Sequence, residues 1–176
     1  MQNLITPITN QRQFPMITLV MATIMTFITF LYLFGKLTTL PCGYDLISSF
    51  MRNFIHVSPL HLIMNMYAFY QFSSIETIIG SIQYLILIMG LAILQTIIEM
   101  MTKNFFDLTC SIGFSGILYG IITWILLSGQ QTNSQMMIAV ILSIFISSAQ
   151  DTQLSLAGHL MGVVAGAILS FLPHFF

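Results

Sequence analysis

Long apolar runs separated by short polar clusters organise this chain. The first run extends roughly from Pro15 to Phe34, close to the about 20 apolar residues that a helix needs to cross a bilayer. Further runs extend from about Pro59 to Ile75, Ile82 to Met101, Ser115 to Leu127, Gln135 to Ser148 and Leu154 to Leu172. The pattern predicts six transmembrane helices, the shorter ones sheltered inside a bundle. The breaks carry the polar residues. Lys36, Asp45 and Arg52 mark the longest connection, between the first and second helices. Lys103, Asn104 and Asp107 separate the third from the fourth, Ser128 to Asn133 the fourth from the fifth, and Gln150 to Gln153 the fifth from the sixth. No linker rich in Pro, Gly or Ser interrupts the series and no internal repeat is visible, so residues 1–176 read as a single transmembrane domain. The first run continues past signal-peptide length with no good small-residue cleavage site, and reads as a spanning helix.

Composition identifies the solvent. Of 176 residues, 57% are hydrophobic and 5% charged, whereas soluble domains carry about 25% charged residues. A lipid bilayer accepts this composition, and an integral, multi-pass membrane protein is expected. A net charge of -1 without a basic patch excludes a nucleic-acid partner. Cys42 and Cys110 match no metal-binding spacing; they read as apolar filler near segment ends, with a disulfide left open should both face an oxidising compartment. The 13 Met residues are scattered and read as lipid-facing or packing side chains. No metal or cofactor is implied. Arg12 precedes the first helix, while Lys36, Arg52 and Lys103 lie in connections on the opposite side, a balance weakly against a cytosolic N-terminus.

Polar groups inside apolar runs are costly unless partnered, and each marks a candidate function. His56, His61, Asn65, Ser115 and His159 stand out. The second, fourth and sixth helices of such a chain run in one direction. His61 follows Arg52 by nine residues, Ser115 follows Asp107 by eight and His159 follows Asp151 by eight. All three are thus expected on one side at similar depth. Gly116 and Gly120 form one small-residue stripe, and Gly158, Gly162 and Gly166 another. Such stripes let helix backbones approach closely in lipid, so the fourth and sixth helices are expected to touch. A serine hydroxyl meeting an imidazole at that contact is a nucleophile with its base. His61 and Asn65, four residues apart, share a helix face and could donate to an oxyanion. The start of the fourth helix adds backbone N–H groups that favour negative charge.

The segment His56-Val57-Ser58-Pro59-Leu60-His61-Leu62-Ile63-Met64-Asn65 resembles the HxxxxHxxxN motif on the second helix of rhomboid proteases. Gly113-Phe114-Ser115-Gly116 is similar to the family's GxSG, and Gly158-His159-Leu160-Met161-Gly162 with Gly166 resembles its final-helix motif, with Gly158 in place of the usual Ala. Three matches in the right order between His56 and Gly166 make the resemblance specific. It implies a six-transmembrane-helix rhomboid-like bundle, an intramembrane serine endopeptidase without cofactor, and single-span membrane proteins as substrates. Ser115 would be the nucleophile and His159 the general base. Asn65, His61 and the Ser115 backbone N–H would form the oxyanion hole, with Tyr119 against the catalytic His and His56 a supporting residue. Where many members carry a Trp-Arg pair in the first connection, this chain has Ile47 and Ser48, with Arg52 nearby but out of register. That departure favours the rival reading, a relative that has lost catalysis and acts as a membrane-embedded binding or quality-control factor; such relatives usually lack the Ser or the His, and this chain keeps both. A transporter is disfavoured by the lack of an inverted repeat or paired intramembrane charges. Glu76 is expected as a helix-end charge tying down a neighbouring loop, Glu99 and Asp107 as interfacial charges, and His174 as interfacial.

Overall fold

A computed structural model describes residues 14–37, 42–43, 45–103, 110–130, 134, 137–138, 141–142 and 156–172. Among these, seven helices have described bounds and no strand is found: α1 (Met16–Leu33), α2 (Leu46–Arg52), α3 (Pro59–Gln71), α4 (Ser73–Ile79), α5 (Ser81–Thr102), α6 (Ser115–Ser128) and α7 (Leu156–Ser170). The architecture is all-α, as expected. Most of the expected fifth span lies outside the described residues, as do Asp107 and His174. Met137, Ile138, Ile141 and Leu142, which are described, are helical.

Among the described residues only α1 and α5, of 18 and 22 residues, are long and apolar enough to cross a membrane unaided. With 14 residues, α6 extends about 21 Å, against a hydrocarbon core about 30 Å thick. Short helices are compatible with lipid only where the backbone beyond their ends is satisfied by protein or faces water. The approach to α6 meets that condition. The Gly113 N–H donates to the Arg52 carbonyl at 3.0 Å, and the Phe114 N–H points to His56 Nε2 at 3.5 Å.

Two polar clusters mark opposite ends of the bundle. At one end Glu76 of α4 turns back onto the start of α1. Its carboxylate accepts from the Ile17 and Thr18 N–H groups at 2.7 and 2.9 Å, from Thr18 Oγ1 at 2.7 Å and from Ser81 Oγ at 2.6 Å. The two N–H groups are orphan donors of the α1 N-terminus, where negative charge is favoured. The expected single helix from Pro59 to Ile75 is therefore divided at Phe72, whose N–H closes a tighter turn onto Phe69 O at 3.0 Å. The break redirects α4 so that Glu76 reaches α1. Hydrogen bonds to a charged acceptor contribute about 1.5–3 kcal/mol each. Glu76→Ala is expected to lower stability by at least about 2 kcal/mol, with Glu76→Gln intermediate. Thermal unfolding in detergent checks this; an unshifted midpoint would mean that α1 is anchored elsewhere.

Between the clusters lies the core, with Phe69, Phe72, Tyr84, Leu91, Phe114, Ile117 and Trp124 all buried. The outer surface is also apolar, with Phe27, Ile63, Ile82, Leu126, Leu160 and Ile168 exposed. Apolar residues inside and outside are compatible with lipid and not with water.

Candidate active site

The second cluster gathers the starts of α3, α6 and α7. Ser58 caps α3, its Oγ accepting the His61 N–H at 3.2 Å, and Pro59 occupies the first turn, where its missing N–H costs nothing. The cap fixes His61 in the first turn of α3, with Asn65 one turn further along, and both are buried. The Asn65 amide donates to the His61 carbonyl at 2.8 Å. That leaves one amide N–H of Asn65 unengaged among the described residues.

The α6 end is shaped by Gly113. Its φ of 123° belongs to glycine, and a Cβ there would lie 2.6 Å from His61 Cε1. The His61 ring thus packs against the backbone two residues before Ser115. Phe114 anchors the turn in the core, its ring centroid 4.9 Å from that of Phe69. Ser115 is the first residue of α6.

Helix α7 brings His159. The two glycine stripes mesh as the sequence predicts: a Cβ on Gly162 would lie 1.9 Å from Gly116 O, and one on Gly166 2.2 Å from Gly120 O. With backbones in contact, Ser115 Oγ and His159 Nε2 are 2.9 Å apart. Tyr119, one turn beyond Ser115, lays its ring against the imidazole with centroids 4.7 Å apart and planes inclined by 35°. A neutral imidazole with its proton on Nδ1 accepts from the serine hydroxyl at that distance.

His56 has the bridging position expected of a supporting residue. Its Nε2 faces the Phe114 N–H at 3.5 Å and its Nδ1 faces Thr29 Oγ1 of α1 at 3.4 Å. An acceptor at Nε2 and a proton on Nδ1 suit both neighbours.

Two sequence expectations are corrected. Cys42 and Cys110 are not filler: they form a disulfide that joins the α1–α2 connection to the segment leading into Ser115. Glu99 is not interfacial: it is buried and forms an ion pair with Arg52. An acid within the run from Ile82 to Met101 was the available signal, but its partner lies 47 residues away on another helix. Gln95 was also passed over. It is buried on α5, and a Cβ on Gly116 would lie 2.5 Å from its Nε2.

Fold and site define an all-α membrane protein with a paired serine and histidine at the meeting of two close-packed helices. Residues 44–174 match the Rhomboid domain. A protein of Acanthamoeba polyphaga mimivirus named "Putative rhomboid protein" is 26% identical over 137 residues, covering 77% of this chain and 80% of the relative. The chain belongs to the rhomboid family, whose kind is the intramembrane protease. The match spans α2 to α7 and leaves α1 outside it.

Proposed function

We propose that this chain is an intramembrane serine endopeptidase that cleaves transmembrane segments of single-span membrane proteins. The observation that carries the reading is the 2.9 Å approach of Ser115 Oγ to His159 Nε2 in a chain of this family. Ser115 attacks the scissile carbonyl while His159 takes its proton, and His159 returns that proton to the leaving amine. Water then attacks the acyl-enzyme, with His159 again as base. The second N–H of Asn65, the His61 ring and the Ser115 N–H supply donors where the oxyanion develops. Tyr119 restrains the imidazole plane. Substrate helices that unwind easily, rich in small and helix-breaking residues, are favoured because a scissile bond must leave its helix. Purified protein in liposomes should cleave a model single-span substrate and react with a serine-directed fluorophosphonate at Ser115. Ile47 and Ser48 at the Trp-Arg positions favour the rival, a binding factor without catalysis. A folded protein that neither cleaves several such substrates nor labels would overturn the protease reading and put that rival in the lead.

The same reading includes six spans and an orientation. The Cys42–Cys110 disulfide lies on the end of the bundle that holds Ser115, and disulfides persist on the oxidising side of a membrane. Arg52, one of the cations weighed for orientation, is buried in an ion pair and is no free loop charge. The site therefore opens to the oxidising side. On intact cells, a membrane-impermeant maleimide is expected to label Cys42 and Cys110 only after an impermeant reductant. Labelling only after permeabilisation would reverse the assignment, and labelling of intact cells without reductant would show free thiols and remove the disulfide.

A further inference from the structure

The segment from Cys110 to Phe114 carries Ser115 into place, and it has little regular structure of its own. Besides the packing of Phe114 and Gly113, the stretch from Cys42 to His56 holds it at three points. The disulfide holds Cys110, the Arg52 carbonyl holds the Gly113 N–H at 3.0 Å, and His56 faces the Phe114 N–H. The middle point is only as firm as α2, a helix of seven residues on the rim of the bundle. Asp45 caps its start by accepting the Ser48 N–H at 2.9 Å, a bond that also holds the Asp45 carboxyl below its usual range. The Ile47 side chain is 74% exposed and anchors nothing.

Arg52 supplies the anchor. Its side chain is 1% exposed. Nη2 forms the ion pair with Glu99 near the end of α5 and donates to Ser49 Oγ at 3.0 Å, while Nη1 lies 3.7 Å from Cys110 Sγ. One residue therefore joins α2 to α5 through its side chain and to the nucleophile segment through both its carbonyl and its guanidinium. An isolated buried charge is strongly unfavourable, so the pair is tightly coupled. We propose that Arg52, through its buried pair with Glu99, is a positioning residue for Ser115. It sets the Gly113 backbone, and through it the direction of the Ser115 hydroxyl and N–H. The pair anchors the first connection of this chain, in which Ile47 and Ser48 stand at the Trp-Arg positions.

This inference rests on the protease reading, and its test separates the two. Cleavage of a model single-span substrate in liposomes gives kcat and KM, and amide hydrogen exchange reads the 111–116 segment directly. Arg52→Gln is expected to lower kcat by about ten- to a hundredfold, the scale of a misplacement near 1 Å, with KM within about twofold because Arg52 does not touch substrate. Exchange at Gly113 and Ser115 should quicken, and Arg52→Lys, which keeps the charge but not the fork, should recover part of the rate. Should Arg52→Gln fail to fold, the double variant Arg52→Met/Glu99→Leu decides, since removing both charges together is often neutral or stabilising. That variant is expected to match the wild-type unfolding midpoint yet remain slow. A folded Arg52→Gln or double variant with wild-type kcat and wild-type exchange overturns the inference alone. A wild-type protein that neither cleaves nor reacts with a fluorophosphonate overturns the protease reading and the inference with it.

Discussion

Ser115→Ala is expected to abolish cleavage while leaving the fold intact, a loss of at least about 10³-fold in kcat. The change removes the proposed nucleophile and one hydrogen bond, whose net contribution to stability is about 1 kcal/mol. Unfolding should therefore be nearly unchanged. His159→Ala is expected to fall almost as far, because the hydroxyl at 2.9 Å then has no base to take its proton. Combining the two should cost little beyond either alone, since the groups act as a unit. Asn65→Ala removes one proposed oxyanion donor and is expected to lose about a hundredfold or more, without loss of fluorophosphonate access to Ser115. Quantitative cleavage in liposomes, with an unfolding midpoint for each variant, checks the series. Cleavage by Ser115→Ala at the wild-type rate would assign the activity to another nucleophile.

Gly162→Ala and Gly166→Ala are expected to damage both stability and activity, although neither residue touches substrate. A Cβ at these positions would lie 1.9 Å from Gly116 O and 2.2 Å from Gly120 O. The obstructing atoms are backbone and cannot rotate away, so α6 and α7 must part. Overpacking of well-filled interiors costs about 1–3 kcal/mol, and these two contacts belong at or above the top of that range. Parting the helices also stretches the bond between Ser115 and His159, which the glycine contacts set. A shift of about 1 Å at a reacting pair costs on the order of a hundredfold in rate. Gly90→Ala is the control: its Cβ would meet only the Leu169 side chain, at 3.3 Å, which can move aside. Unfolding midpoints and cleavage rates of the three variants decide the matter. A stable, active Gly162→Ala would mean that α6 and α7 do not meet along this stripe.

Much of this protein was legible from one dimension. Lipid is a uniform solvent that demands long apolar runs and closed backbone hydrogen bonding, so composition and run length determine an all-α membrane protein. The candidate site was legible for a related reason. Ser115, His159, His61 and Asn65 are polar where lipid forbids polarity, and the glycine spacing announced which helices touch. The Ser58-Pro59 cap and Gly113 are local devices whose signals lie within a few residues. Tertiary structure decided the rest. Glu99 and Arg52, each readable as an interfacial charge by itself, became a buried pair because α2 folds onto the end of α5. Cys42 and Cys110, 68 residues apart, were joined because two connections converge beside Ser115. The break at Phe72 exists because Glu76 must reach the N–H groups of α1. Periodicity and polarity report what a residue needs from its solvent. They carry no information about which distant residue meets that need, because long-range pairing is a property of the closed chain.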